Sequence, residues 1–218
     1  MQWRGWMSVE DFASDRALAL GSMSVSHETT SCLDEFADLL NRWRLITDLI
    51  SPATWLTLWT RHILDSAQLL KIEPNAKTWV DMGTGAGFPG LIVAVFLKGI
   101  PGAHVTLIES DKRKVAFLKE AVRITGAPAT VRSGRLDKIL PSLHIHPEVI
   151  TARALAPLKI LIRHSLPFLN HGTIALFPKG SNVSQELSDA GLIPDFCYDM
   201  IQSQTSDNGQ IVRISRSL

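Results

Sequence analysis

The chain has 218 residues, of which 45% are hydrophobic, and a formal net charge of +1. This length allows one α/β domain with an appended segment, and the near-neutral charge gives no global signal for nucleic-acid binding. The two cysteines, Cys32 and Cys197, lack metal-ligand spacing and are expected to be free thiols. The longest apolar run is about a third of a membrane span and the first 25 residues lack a secretory pattern, so we expect a cytoplasmic protein.

Helical periodicity dominates residues 1–74, which we interpret as an N-terminal helical extension. A short helix is predicted at 9–20. The sequence leaves open whether residues 1–25 as a whole are ordered or only loosely ordered. Ser31 is predicted to cap a second helix that carries apolar residues on one face. A further helical stretch is predicted from Ala53 to Leu70, before Pro74 breaks the chain.

Strands and helices alternate from residue 75 onwards. The predicted helices are 89–98, 111–125, 157–169 and a weaker one at 182–190, and the predicted strands are 78–83, 104–109, 129–134, 149–154, 173–177, 196–202 and 210–216. This order predicts an α/β fold with a mostly parallel seven-stranded sheet of the Rossmann-like type and an antiparallel edge. Residues 75–218 are therefore expected to form the cofactor-binding domain.

A glycine-rich turn follows the first strand, over residues 81–90. Gly85, Gly87 and Gly90 match the G-x-G-x-x-G fingerprint of dinucleotide binding. Gly83, Gly85 and Gly87, with Asp81 just upstream, match instead the signature of S-adenosylmethionine (SAM) methyltransferases. The spacing alone leaves both cofactor classes open.

Two strand-end acids refine this interpretation. A carboxylate at Asp81 would attract an ammonium or sulfonium group and repel a pyrophosphate, which favours SAM over NAD. The alternative for Asp81 is a turn former that hydrogen-bonds to local backbone. Glu109 ends the second strand, where a carboxylate accepts from the ribose hydroxyls of an adenosine in either cofactor.

Three other groups of residues could contribute chemistry. Asp137 could accept from an adenine amino group while Leu136 covers the ring, or it could serve a helix N-terminus. Arg153 lies at the end of the predicted fourth strand, at the expected switch point, where it needs a ligand or a carboxylate partner such as Asp81. The block from Arg61 to Ser66 could equally form surface pairs.

Basic residues are concentrated between positions 112 and 138. The stretch contains Lys112, Arg113, Lys114, Lys119, Arg123, Arg132, Arg135 and Lys138. Such a cluster could contact phosphate, and a solvated helix face has a similar pattern.

Taken together, these motifs resemble the ribosomal small-subunit methyltransferase G family, also called glucose-inhibited division protein B. The matching residues are Trp43, the block Arg61-His62-Ile63-Leu64-Asp65-Ser66, Asp81 to Gly90, Lys112-Arg113 with Phe117-Leu118, Gly134-Arg135, Arg153-Ala154 and Lys179-Gly180. The Arg61–Ser66 block makes the resemblance specific, because it is not a general methyltransferase motif.

The resemblance implies a class I SAM-dependent methyltransferase that modifies N7 of guanine 527 in the 530 loop of bacterial 16S ribosomal RNA. It implies cofactor contacts at Gly83, Phe88, Leu136, Asp137 and Arg153. It also makes Arg61 and His62 candidate catalytic residues. Arg153 or Lys179 could donate to guanine O6, and the candidates for phosphate contacts are Arg61, Lys112, Arg113 and Arg135.

The chain departs from the family pattern at two places. Asp48 stands where the family commonly has asparagine, and Gly209-Gln210-Ile211 replaces a basic pair near the last strand. Two alternative functions are retained: an RNA-binding or ribosome-assembly protein that keeps the fold without methyl transfer, and an NAD-dependent oxidoreductase. We expect no metal, no membrane contact and a monomer that acts on 16S ribosomal RNA or the small subunit.

Overall fold

The computed structural model describes residues 9–191 and 193–217. Helix α1 spans Val9–Gly21, as the sequence pattern predicts. The sequence leaves open whether residues 1–25 are ordered, and residues 1–8 of that segment lie outside the described residues.

The helical extension is more broken than its periodicity predicts. Helix α2 (His27–Trp43) is followed by a 3₁₀ turn (Pro52–Thr54), a π-helix (Trp59–Leu64) and the short helices α3 (Asp65–Ala67) and α4 (Leu69–Ile72). The predicted helical stretch from Ala53 to Leu70 is helical over most of its length but is divided into these short segments. The predicted cap at Ser31 is wrong, because the Ser26 hydroxyl accepts from the Thr29 N–H at 3.0 Å and starts α2 five residues before Ser31.

The strands lie close to their predicted positions. They are β1 (Thr78–Met82), β2 (His104–Glu109), β3 (Ala129–Ser133), β4 (Val149–Thr151), β5 (Ile174–Lys179), β6 (Phe196–Gln202) and β7 (Gln210–Arg216). The helices between them are α5 (Gly90–Phe96), α6 (Lys112–Thr125), α7 (Leu136–Ile139), α8 (Leu158–Leu169) and α9 (Val183–Ala190). The central strands β1, β2 and β4 are buried along nearly their whole length, because helices cover both faces of the sheet there.

One seven-stranded sheet runs through the described residues in the order β3-β2-β1-β4-β5-β7-β6. The pairs among β1 to β5 are parallel, and β7 pairs antiparallel with both β5 and β6. The order reverses between β1 and β4, which makes a crevice at their carboxyl ends. The predicted fold, a mostly parallel sheet with an antiparallel edge, is confirmed.

The helical extension shares its core with the sheet. Phe36 and Ile63 pack in the same buried cluster as Leu91 and Phe117 from the other side of the predicted boundary at residue 74. Trp43 in α2 also donates to Glu120 in α6 at 3.1 Å. The extension is thus fixed against α5 and α6, so its π-helix lies at the crevice.

Candidate functional site

A cavity of about 1180 Å³ opens at the carboxyl ends of the parallel strands. Of the predicted site residues, Arg61, His62, Gly83, Gly85, Phe88, Glu109, Leu136, Arg153 and Lys179 line it. The crevice at the strand reversal is where open α/β sheets bind ligands. Most of the predicted site is therefore brought together in one place.

The glycine turn shapes the floor of this cavity. Gly83 and Gly85 have φ values of +65° and +58°, which side-chain-bearing residues rarely adopt. A Cβ at Gly83 would lie 2.4 Å from Leu155 Cδ1, whereas a Cβ at Gly85 would have only the Gly83 carbonyl oxygen within 4 Å, at 3.9 Å. The backbone at Gly85 therefore faces open space, where a ligand can approach closely.

Glu109 ties the turn to the end of β2. Its Oε2 accepts from the Gly85 N–H at 3.0 Å, and its Oε1 accepts from Ser110 and Asp111 N–H groups at 2.7 and 2.8 Å. A carboxylate has about four acceptor positions, so one remains for a ligand. Glu109 thus has a structural role in addition to its place in the cavity wall.

The structure does not place Asp81 in the cavity wall. Its side chain is fully buried beneath the turn, where Oδ2 accepts from the Gly90 N–H at 2.8 Å and Oδ1 has no hydrogen-bond partner among the described residues. Burial raises the pKa of Asp81 to about 7. The bond to Gly90 is the local backbone contact that the sequence left as the alternative. Gly87 also lies behind the cavity wall rather than in it, packed so closely that a Cβ there would lie 2.9 Å from Leu91 Cβ.

Arg153 is the centre of the opposite wall. Its Nη1 donates to Asp65 Oδ2 and to the Arg61 carbonyl oxygen, each at 3.1 Å, and its Nη2 lies 2.8 Å from His62 Nδ1. Its guanidinium carbon also lies 5.2 Å from the Phe88 ring centroid. The carboxylate partner is therefore Asp65, not Asp81, and the Arg61–Ser66 block lies in the site rather than on a separate surface.

The contacts of His62 determine its protonation. A guanidinium can only donate, so Nδ1 accepts from Arg153, and Nε2 carries the proton that faces Thr54 Oγ1 at 3.0 Å. Burial, and then the charges of Arg153 and Arg61, lower the pKa of His62 to about 3. The ring stacks on Phe88 at 5.0 Å between centroids. His62 is thus a neutral, oriented group at physiological pH.

Residues that the sequence did not single out hold Asp65 in place. Thr205 Oγ1 donates to Asp65 Oδ1 at 2.6 Å, and Gln68 Nε2 donates to the same oxygen at 2.8 Å. Gln68 Oε1 in turn accepts from the Gln204 N–H at 2.8 Å. The turn between β6 and β7 therefore closes one side of the site, a contact over more than 130 residues with no local signal in the sequence.

Lys179 lies in the wall but is already paired. Its Nζ donates to Glu186 Oε2 at 2.7 Å and to the Ala156 carbonyl oxygen at 2.9 Å. The ammonium group has three N–H donors, so one remains for a ligand. Beside it, Gln210 lines the cavity, and its amide oxygen is buried with no partner among the described residues.

The other predicted contacts lie at the rim. Asp137 is absent from the lining and accepts from Arg135 Nε at 3.1 Å, while Leu136 reaches the cavity. Lys112 and Arg113, in the first turn of α6, are exposed on the same edge, and Lys114 lines the cavity between them and the turn. Asp48 is exposed and absent from the lining, whereas its neighbours Leu49 and Ile50 contribute to it.

Neither a metal-binding cluster nor a membrane-spanning helix occurs among the described residues. No group of three or more His, Cys, Asp or Glu side chains is placed to hold a metal ion. None of the described helices has the length and apolar character needed to span a membrane.

Comparison with solved structures places the fold among methyltransferases. An O-methyltransferase from Bacillus cereus in complex with SAH superposes with a TM-score of 0.65 at 15% identity, covering 96% of this chain and 100% of the other. A putative O-methyltransferase from Klebsiella pneumoniae gives a TM-score of 0.64 at 17% identity, covering 94% and 97%. At these identities the likeness shows the class I methyltransferase fold alone.

Sequence comparison is more specific. Residues 29–204 match the family model for rRNA small subunit methyltransferase G. The chain is 46% identical to the ribosomal RNA small subunit methyltransferase G of Methylobacterium sp. (strain 4-46), over 93% of this chain and 95% of that protein. It is 44% identical to the protein of the same name from Methylorubrum extorquens (strain PA1), over 92% and 94%. The chain therefore belongs to the rRNA small subunit methyltransferase G family.

Proposed function

We propose that this chain transfers a methyl group from SAM to N7 of guanine 527 in the 530 loop of 16S ribosomal RNA. Family membership supports a small-subunit ribosomal RNA substrate. The observation that carries the proposal is a cavity with two different walls. The glycine turn and Glu109 form one wall, and the Arg153–His62–Asp65 cluster forms the other.

The first wall fits the methyl donor. SAM supplies an electrophilic methyl group on a sulfonium, and an adenosine whose ribose hydroxyls need acceptors. The space in front of Gly85 admits a ligand against the backbone, and Glu109 has one acceptor position left. Gly83, Phe88 and Leu136 complete this side, while Asp81 and Gly87 support it from beneath.

The second wall fits a nucleophile that needs no deprotonation. Guanine N7 has a free lone pair at neutral pH, so the protein must orient the base rather than remove a proton. His62 agrees with this requirement, because its Nδ1 lone pair is engaged by Arg153 and its pKa is lowered to about 3. The known contacts of Arg153 use three of its N–H groups and leave two that can donate to guanine O6. Lys179 has one remaining donor for the same acceptor.

Basic side chains at the rim support binding to the RNA backbone. Arg61 lines the cavity, and the other three candidates are next in sequence or close to lining residues: Lys112 and Arg113 precede Lys114, and Arg135 lies between Gly134 and Leu136. Exposed cations in such a position contact phosphates and set the register of the RNA without reading its sequence. We propose that the protein acts as a monomer in the cytoplasm, where small subunits assemble.

A methyl-transfer assay on His62 variants tests the proposal. The substrates are small ribosomal subunits and free 16S RNA from cells that lack the modification, and the methylated position is mapped by mass spectrometry. His62→Ala should reduce methyl transfer on the order of 100-fold, because a loosened reaction geometry costs about that much, and should leave SAM affinity nearly unchanged. His104→Ala is the matched control, because His104 is exposed at the opposite end of β2.

The alternatives give different results. SAM binding by the wild-type protein without transfer to either substrate would indicate an assembly protein, and tight NAD binding would indicate an oxidoreductase. Wild-type incorporation by His62→Ala would remove His62 from the reaction.

A further inference from the structure

The start of the π-helix is capped from a distant part of the chain. The first N–H groups of any helix lack partners within it, and Leu58 at this position offers no side-chain acceptor. Instead Asp15, in α1, accepts from the Trp59 N–H at 2.8 Å and from the Thr60 N–H at 3.3 Å through Oδ2. Its Oδ1 also accepts from the Thr60 hydroxyl at 2.5 Å.

This cap precedes the residues that contact Arg153. Within the π-helix, the Arg61 carbonyl oxygen accepts from Arg153 and the His62 ring accepts from it, and Asp65 follows directly after the helix. A carboxylate that fixes the first two N–H groups also fixes the rotation of the turn that follows. π-Helical turns are rare and often lie at functional sites, and here the first N–H groups of the turn are bound by a carboxylate from another helix.

Other contacts hold α1 in position independently of Asp15. Arg16 donates two bonds to Asp34 in α2, at 2.7 and 2.6 Å, and its guanidinium carbon lies 5.2 Å from the Trp59 ring centroid. Phe12 stacks on Trp55 at 5.1 Å between centroids. Docking of α1 and capping of the π-helix can therefore be separated by mutation.

We infer that Asp15 is a positioning residue for methyl transfer. It fixes the register of the π-helix, in which Arg61, His62 and Asp65 meet Arg153. The inference rests on the proposed function for its kinetic consequence. It extends the site to α1, which ends before residue 29, where the match to the family model begins. Asp15 does not line the cavity, so it acts through the backbone of the π-helix.

The test compares Asp15→Ala with Asp34→Asn in the full-length protein. Asp34→Asn weakens the ion pair between Asp34 and Arg16 and leaves the Asp15 cap on the π-helix intact. Asp15→Ala should lower kcat on the order of 10- to 100-fold, as expected for a small misplacement of catalytic groups. The affinity for SAM should stay within about twofold, because Asp15 has no contact with Gly85 or Glu109 of the cofactor wall. The KM for small subunits should change less than kcat. Asp34→Asn should keep a kcat near that of the wild type.

Two further measurements keep the inference testable. The ¹⁵N NMR shifts of the His62 ring report its Nε2–H tautomer, and Asp15→Ala should move them while Asp34→Asn should not. Thr60→Val removes only the hydroxyl bond to Asp15, so it should give a smaller kcat loss in the same direction. If Asp15→Ala does not fold, Thr60→Val is the smaller change with which the same test can be made.

Equal kcat losses in Asp15→Ala and Asp34→Asn would overturn the inference, because docking of α1 would then be responsible. Unchanged His62 shifts in Asp15→Ala and Thr60→Val would overturn it as well. Failure of the proposed function has a different signature: the wild-type protein itself would transfer no methyl group to small-subunit RNA, and the NMR comparison would still decide whether Asp15 positions the cluster.

Discussion

Removing the carboxylate of Asp65 should destabilise the protein strongly. Asp65 and Arg153 are 14% and 17% exposed in their side chains, with 3.1 Å between Oδ2 and Nη1. Breaking a buried pair by removing one partner leaves an uncompensated charge and costs about 3–5 kcal/mol. Asp65 also accepts from Thr205 and Gln68, and those donors lose their acceptor at the same time.

The predicted values follow from these contacts. Asp65→Ala should lower the free energy of unfolding by about 3–5 kcal/mol. Asp65→Asn keeps an acceptor for Arg153 but removes the charge, so its cost should be about 1–3 kcal/mol. The double variant Asp65→Ala/Arg153→Met should be about 1–3 kcal/mol more stable than the sum of the two single effects predicts, because no lone charge remains.

Urea denaturation followed by tryptophan fluorescence measures these differences, since Trp59 and Trp79 are buried. Strictly additive single effects would refute the reasoning, because they would show that the two side chains do not stabilise each other. A loss below about 0.5 kcal/mol for Asp65→Ala would refute it too, since that is the scale of ordinary surface substitutions.

Three further predictions concern the cofactor wall and pH. Gly85→Val should abolish SAM binding, measured by calorimetry, because its side chain would fill the ligand space; the wild type should bind SAM and not NAD. Glu109→Ala should weaken SAM binding by about 1–3 kcal/mol, and an intact circular-dichroism spectrum is needed to attribute the loss to the ligand contact. Between its ordinary pKa of 6.5 and the lowered value of about 3, His62 binds a proton only in the unfolded chain. The wild type should therefore lose stability as pH falls through this window, by about 1.4 kcal/mol per unit relative to His62→Gln; equal pH slopes in urea denaturation would contradict this.

The sequence predicts the sheet well because its strands have strong local signals. The predicted bounds of β2, β6 and β7 agree with the structure, and Gly83, Gly85 and Glu109 lie in the cavity wall as expected. Each of these positions follows from alternation of strands and helices or from a turn that needs glycine.

The parts that the sequence missed depend on contacts between distant segments. The stretch from 53 to 70 has helical periodicity, but the structure has a 3₁₀ turn and a π-helix there, and the start of the π-helix is bound by Asp15 from α1. The sequence offers Asp81 as a possible partner of Arg153 because both lie at strand ends, whereas the partner in the structure, Asp65, comes from the helical extension. Spacing along one strand or helix carries no information about such pairs.

The position of β7 constrains the order in which the protein can fold. β7 follows β6 in the chain but lies between β5 and β6 in the sheet. During synthesis, β6 has no neighbour in the sheet until β7 has left the ribosome, and Thr205 cannot hold Asp65 before the same hairpin forms. Because nascent chains fold from the N-terminal side as they emerge, the five parallel strands β3-β2-β1-β4-β5 can assemble first with the antiparallel edge missing. An enzyme for ribosomal RNA would thus gain its complete site only after the ribosome that makes it has translated residue 216.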